Sequence, residues 1–242
     1  MLSVVVPVHN EAENIGPLVA EIAALKQRVP LMEIVYVDDG STDTTLAELR
    51  RIQATEPLLR VISQLPRSGQ SCATWTGVAA STQPIVVTLD GDGQNDPEGI
   101  VAMFGVFMDR AHAGQRVMVA GQREKREDNF LRKLSSRIAN KVRSSLLNDG
   151  VRDTGCALKM FRRDDYLALP YFNHMHRFLP ALFIRAGISI ALSDVKHRAR
   201  TRGTSKYGVM NRLWVGIVDL FAVRWLQARA KPINLITNEQ KA

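Results

Sequence analysis

The chain has 242 residues, 45% of them hydrophobic and 23% charged, which suits one well-packed domain and is too ordinary for a disordered or fibrous protein. Its two cysteines, Cys72 and Cys156, are too few for a disulfide framework and lack metal-ligand spacing, so reduced thiols in a cytosolic protein are expected. The formal charge of +8 is unevenly divided: residues 1–100 carry 13 acids and 6 bases, residues 101–242 carry 11 acids and 26 bases. That asymmetry points to an anionic partner met mainly by the C-terminal part, whether a phosphate-bearing substrate, an anionic membrane surface or nucleic acid.

Leu2–Val8 is a continuous β-branched run, the pattern of a parallel strand buried on both faces. No basic segment precedes it and no cleavage signature follows, so no secretory leader is expected. Ile15, Leu18, Val19, Ile22 and Leu25 then fall at helical spacing. Glu33–Val37 reads as a second strand, Thr44–Gln53 as a short helix, Arg60–Ser63 as a third strand, Cys72–Ala80 as a helix and Ile85–Leu89 as a fourth strand. This alternation predicts a doubly wound parallel sheet with right-handed crossovers, whose ligands sit at the carboxyl ends of the strands. Further on, Val117–Gly121 is a candidate strand. Phe130, Leu134, Ile138, Val142 and Leu146 predict an amphipathic helix flanked by Lys133, Arg137 and Lys141. Residues 195–218 hold no acid but six bases, among them Arg200 and Lys206.

Two acidic clusters fall at strand ends. In Asp90-Gly91-Asp92-Gly93-Gln94 two carboxylates one residue apart point the same way, and the glycines let a ligand approach the backbone. Hard oxygen donors of this kind suit Mg²⁺ or Mn²⁺, which keep positions open for substrate phosphates. Asp38-Asp39-Gly40-Ser41-Thr42-Asp43 can cap the next helix through Ser41 or Asp43, yet capping leaves Asp38 and Asp39 at the strand end unexplained. The absence of Gly-x-Gly-x-x-Gly and of a Gly-Lys-Ser/Thr loop argues against dinucleotide and P-loop folds.

Val6-Pro7-Val8-His9-Asn10-Glu11, Val37-Asp38-Asp39-Gly40-Ser41 and Leu89-Asp90-Gly91-Asp92-Gly93-Gln94 together resemble the three signatures of the inverting glycosyltransferases of family 2. Gly121-Gln122-Arg123, the Arg132–Arg143 stretch, Asp153-Thr154-Gly155-Cys156 and Arg200 to Tyr207 are similar to the dolichol-phosphate mannosyltransferase-like branch, which glycosylates polyprenyl phosphates. The resemblance spans roughly residues 1–210. It implies a GT-A fold, a Rossmann-like doubly wound mixed sheet, over residues 1–210, with a C-terminal amphipathic helical segment and tail over 211–242. Pro7, Asn10, Glu11 and Asp38 would border the nucleotide. Asp90, Asp92 and Gln94 would hold the donor diphosphate and its metal. Arg123, Arg137, Arg200 and Lys206 match basic positions that handle phosphates, with Asp92, Arg200, Lys206 and Asp153 counted among the catalytic groups. Arg67-Ser68-Gly69-Gln70-Ser71-Cys72-Ala73 departs from the family's Asn-x-Gly-x-x-x-Ala, which puts contacts there in doubt.

The implied reaction passes a sugar from a UDP- or GDP-sugar to a polyprenyl (dolichyl or undecaprenyl) phosphate. Its phosphate nucleophile is already ionised, so no strong base is needed. A same-family transferase to a saccharide hydroxyl would need a base, with Asp153 as the candidate; a nucleic-acid binder is disfavoured by the acidic first half and the lack of an aromatic-interleaved basic motif. His176-Arg177 is either an acceptor contact or structural. The apolar stripe Trp214, Ile217, Val218, Phe221 and Trp225 is too short to span a bilayer. It predicts either an interfacial helix at the cytoplasmic membrane face or packing on its own domain, a membrane-protein partner or a second copy.

Overall fold

A computed structural model describes residues 1–123, 143–144, 146–198 and 209–230. Among these residues seven strands form one sheet: β1 (Leu2–Val8), β2 (Leu31–Asp39), β3 (Leu59–Gln64), β4 (Ile85–Thr88), β5 (Val117–Arg123), β6 (Lys159–Arg162) and β7 (Ser189–Val195), in the order β3-β2-β1-β4-β6-β5-β7. All neighbouring pairs run parallel except those of β6, which is antiparallel to both β4 and β5. The parallel sheet read from the alternation is therefore mixed, as the resemblance implied.

Among the described residues the helices with stated bounds are α1 (Ala12–Ala24), α2 (Thr45–Gln53), α3 (Gln70–Ala80), α4 (Gly99–His112), α5 (Arg163–Leu167), α6 (Leu179–Arg185) and α7 (Val209–Ala228), which pack on the two faces of the sheet. The period-2 geometry of a strand sorts the core into two layers. Val4, Val6, Val8, Ile34, Tyr36, Val87 and Met160 pack with Ile15, Leu18 and Ile22 of α1 and Ile100 and Met103 of α4. Val5, Val35, Val37, Val86 and Phe161 turn the other way, toward Ala73 and Val78 of α3, Leu182 and Phe183 of α6 and Val223 of α7. Full burial of one such aliphatic side chain contributes about 1.5–3 kcal/mol, so both faces of β1 and β2 are mainly apolar; the buried exceptions in their opening residues, Ser3 and Glu33, satisfy each other, Ser3 Oγ donating to Glu33 Oε1 at 2.7 Å. The helix α3 lies unusually close to the sheet. A Cβ on Gly77 would collide with Val5 and Val37.

The strands β1, β2, β3, β4 and β5 coincide with the predicted ones to within two residues at each end. The helix α4, the strands β6 and β7 and the helices α5 and α6 were not foreseen. On α7, Leu220, Val223 and Leu226 face the second core, while Val218, Phe221 and Trp225 are 52%, 61% and 60% exposed. Among the described residues no helix is long and apolar enough to cross a membrane. Arg137, Arg200 and Lys206, with the predicted helix around Arg137, lie outside the described residues.

Candidate active site

The carboxyl ends of β1, β2, β4 and β5 share one edge of the sheet, and because β6 is reversed the segment before it, residues 153–158, comes to that same edge. There a cleft of ≈ 570 Å³ opens, lined by Pro7, the Arg67–Gln70 loop, Thr88, Asp90, Thr154, Gly155, Lys159 and the turn from Asn173 to Arg177.

Asp90 follows β4 directly. Its Oδ1 accepts a hydrogen bond from Gln70 Nε2 at 2.8 Å. Burial, then the charge of Asp92, push its carboxyl up to about 6, against the pull of Lys159, Arg123 and the Gln70 bond. Gly91 seats this turn on β1: a Cβ there would strike the Val8 side chain and approach Pro7 O at 3.4 Å. The turn closes when Asp92 Oδ1 accepts the Gln94 N–H at 3.1 Å. Gln94 O in turn accepts the Arg198 N–H at 2.8 Å, and Arg198 is tied to Glu21 and Asp96 at 2.7 and 2.9 Å. The first arginine of the acid-free run is thus engaged with acids from other segments.

Behind Asp90 the floor is cationic. Lys159 is buried on β6 and donates to the carbonyls of Thr154, at 3.2 Å, and Cys156. Burial lowers its pKa, with Cys156, Asp90 and Asp153 acting the other way. Arg123, at the end of β5, makes a bidentate pair with Asp153, Nε to Oδ2 at 2.5 Å and Nη2 to Oδ1 at 2.8 Å. Burial alone would raise the Asp153 carboxyl; the Arg123 hydrogen bonds and charge, the Gly155 N–H and Lys159 together hold it below the ordinary carboxylate range. Both oxygens of Asp153 are spent on a guanidinium, which is poor equipment for a general base.

The remaining predicted residues knit the first two strand ends together. Asn10, in a left-handed conformation (φ 55), accepts the Thr42 N–H on Oδ1 at 2.7 Å and donates its own N–H to Ser41 Oγ at 2.8 Å. The Glu11 N–H donates to Thr45 Oγ1 at 2.8 Å, and its carboxylate accepts from Asn14 at 2.7 Å. Asp38 is buried, with Ser41 N and Ser63 Oγ at 3.3 and 3.4 Å. Asp39 accepts from Gln64, Ser68 N and Gly69 N at 2.7, 2.7 and 2.9 Å and so shapes the loop leading into α3. The N-cap of α2 is Thr44, not Ser41 or Asp43, although Asp43 Oδ1 accepts the Thr45 N–H at 2.9 Å from the position before it. Pro7, Asp90 and the Arg67–Gln70 loop line the cleft together, whereas Asn10, Glu11 and Asp38 stand back from its lining.

Sequence reasoning missed Lys159 and Gln70. A lysine inside the apolar run Leu158-Lys159-Met160-Phe161 was the available signal for the first. Gln70 lies in the stretch that departs from the family pattern. His176 is anchored to α3, with Nδ1 2.7 Å from Ser71 Oγ.

The reversed strand within a parallel sheet, with paired carboxylates facing cations at its carboxyl edge, marks a transferase domain of the GT-A type. Residues 3–169 match Glycosyl transferase family 2, and the chain belongs to that family of glycosyltransferases. It is 36% identical over 237 residues to the dodecaprenyl-phosphate galacturonate synthase of Rhizobium johnstonii, covering 96% of this chain and 69% of that protein. Identity is 35% over 216 residues with the undecaprenyl-phosphate 4-deoxy-4-formamido-L-arabinose transferase of Pectobacterium carotovorum, covering 86% of this chain and 63% of that one. The chain therefore spans a little under two thirds to 69% of the length of such relatives. Among solved structures, glucosyl-3-phosphoglycerate synthase of Mycobacterium tuberculosis, crystallised with Mn²⁺, UDP and phosphoglyceric acid, superposes with a TM-score of 0.70 at 20% identity, covering 96% and 80% of the two chains. Mannosyl-3-phosphoglycerate synthase of Rubrobacter xylanophilus gives 0.70 at 18% identity, covering 98% and 77%. At such identities the likeness is one of fold.

Proposed function

We propose that this chain transfers a glycosyl group from a nucleotide-diphosphate sugar to a polyprenyl phosphate, with inversion at the anomeric carbon, at the cytoplasmic face of a membrane. The observation that carries the reading is the Asp90/Asp92 pair at the carboxyl edge of the sheet, with the charges of Lys159 and Arg123 acting on Asp90. Two relatives that share more than a third of their aligned residues with this chain are named for transfer to polyprenyl phosphates, which supports the acceptor class. Pro7, Asn10, Glu11 and Asp38 then border the nucleoside.

The donor set fits a divalent cation. The charge of Asp92 disfavours ionisation of Asp90, and a cation relieves that conflict. A Mg²⁺ or Mn²⁺ site of this kind takes one or two carboxylates and completes its shell with substrate phosphates. Asp90 and Asp92, with Gln94, would hold it, and it would offset charge on the departing nucleoside diphosphate.

The rest of the work falls to the chain's own groups. Arg123, oriented by Asp153, stabilises phosphate charge, and Arg137, Arg200 and Lys206 serve the same end. The acceptor's phosphate oxygen is ionised at neutral pH and attacks without a base. A saccharide-hydroxyl acceptor is the weaker reading, since Asp153 is bound up with Arg123. Phe221 and Trp225 on the outer face of α7, with Arg224 and Arg229 beside them, suit the headgroup boundary of a membrane.

The test is a panel of labelled UDP- and GDP-sugars incubated with membranes and Mn²⁺, followed by lipid extraction. Mild-acid-labile glycolipid is the expected product. Label found only in water-soluble saccharide would overturn the acceptor class.

A further inference from the structure

One wall of the cleft touches a helix from much later in the chain. The turn of residues 173–177 lines the cleft through Asn173, His174, His176 and Arg177, and it leads straight into α6, whose N-cap is Phe178. On one side this turn is tied to α3: Ser71 Oγ accepts the His176 N–H at 3.3 Å and lies 2.7 Å from the ring Nδ1. On the other side His174 Nδ1 lies 3.3 Å from Asp219 Oδ2 of α7. Both His174 and Asp219 fall beyond residue 169, where the match to the family ends.

Each partner in this contact is locally unfavourable by itself. His174 is left-handed (φ 67), a conformation that a residue other than glycine keeps only where its surroundings hold it. Its N–H is taken by Asn173 Oδ1 at 3.0 Å and its carbonyl accepts the Arg177 N–H at 3.1 Å, so the chain bends tightly there. Asp219 interrupts the apolar sequence of α7 between Val218 and Leu220, and its side chain is only 17% exposed. A carboxylate so far withdrawn from water is costly unless a polar group faces it, and an aliphatic residue would suit that position better. The helix itself is firmly seated. Leu220, Val223 and Leu226 enter the second core, Gln227 Nε2 donates to Leu147 O at 3.0 Å, and Arg185 Nε of α6 donates to Leu226 O at 3.0 Å. Asp219 therefore reaches the turn from a fixed base.

Resting on the transferase reading above, we propose that Asp219 is a positioning residue: from α7 it holds His174 in its left-handed conformation and so sets the cleft wall of residues 173–177 for transfer. The late helix then belongs to the reaction as well as to the outer surface. Val218 and Phe221, one residue before and two after Asp219, are exposed, so whatever seats that face of α7 also bears on the cleft wall. By reciprocity, occupancy of the cleft steadies α7 in turn.

Hydrogen exchange of the full chain, which needs no turnover, gives the first readout. Asp219→Ala should speed exchange of the amides of residues 173–177 about tenfold, the scale of one lost interaction with a charged group, and leave β1, β2 and α6 as in wild type. With the active donor, kcat should fall about tenfold while the donor KM moves less than about twofold. Asparagine tolerates the left-handed region, so in a His174→Asn background the same Asp219→Ala change should lower kcat less than about twofold. Asp219→Asn, which keeps an acceptor oxygen, should retain most of the rate. Asp219→Leu, which suits an apolar helix, takes the place of the alanine variant should that one fail to fold. Unchanged exchange at 173–177, faster exchange with unchanged kcat, or an equal kcat loss in the His174→Asn background would overturn the positioning role. Exchange quickened throughout α6 and α7 would also overturn it, by making Asp219 a plain anchor of the helix. Absence of transfer by wild type from every donor would sink the transferase reading itself, and exchange alone would then show whether Asp219 holds the turn.

Discussion

The two halves of this molecule divide the electrostatic labour. The first hundred residues, β1 to β4 with their helices, carry an excess of acid and bring Asp38, Asp39, Asp90 and Asp92 to strand ends. The later part is strongly basic and supplies Arg123, Lys159 and Arg177 to the same edge. On the proposed reading, neither half alone would make a site for a polyanion with a metal. The acidic half would repel the diphosphate, and the basic half would bind it without a place for a dication. Their convergence concentrates opposite charges at one edge while each segment keeps an excess of one sign.

The comparison is broken hardest on its acidic side. Asp92→Asn should keep the fold and reduce turnover by about three orders of magnitude, on the scale of losing one preorganised charge contact. Wild-type activity surviving in EDTA would end the metal assignment. On the basic side, Arg123→Ala should cost about a hundredfold in turnover. Asp153→Asn should cost less, because the guanidinium survives without its guide. A kcat loss for Asp153→Asn as large as for Asp92→Asn would instead make Asp153 a base. Arg200→Ala and Lys206→Ala should each lower turnover at least about tenfold; wild-type rates at low substrate would return that run to a solvated surface.

Proton linkage sharpens the same contrast. The Asp90 carboxyl is raised to about 6 from an ordinary 3.8, so the folded state holds that proton more tightly than the unfolded one. Stability from this group is therefore full below about pH 4 and lost as pH rises toward 6. Without metal, Asp90→Asn should gain in melting temperature relative to wild type across that window, and Mn²⁺ should restore wild type alone. A difference flat with pH would mean that Asp90 is not strained. The smallest effect belongs to α7. Phe221→Ala with Trp225→Ala should weaken binding to anionic vesicles several-fold and leave the melting temperature unmoved, as both side chains are exposed. Unchanged sedimentation with vesicles would remove the membrane from the reading of this helix.

What could be read from the sequence follows the same divide. The strands β1, β2 and β4 are mostly apolar because both their faces are covered, and the acids that end β2 and follow β4 announce themselves by contrast. The helix α4 was hidden although Ile100, Met103 and Phe107 keep helical spacing, for Gly99 and Gly105 blur the signal. Among the described residues the strand β7 pairs with β5 alone and buries alternate residues, so Ser189 and Asp194 disguise it as loop. The four-residue β6 carries a lysine that periodicity cannot explain. Its position is dictated by tertiary pairing with β4 and β5, which no local pattern encodes. For the same reason Asp153 looked like a solitary active-site acid, when its partner lies thirty positions earlier in the chain.

That short reversed strand also decides which residues can meet. Had β6 run with its neighbours, its leading segment would have emerged at the opposite rim, about 13 Å away for four residues at roughly 3.3 Å each. Arg123 would then have no tether, and the carbonyls that cradle the Lys159 ammonium would lie beneath the sheet. Reversing polarity once lets a single rim collect both chain segments that leave strands and one that enters, so the reach of the site is extended without lengthening any loop.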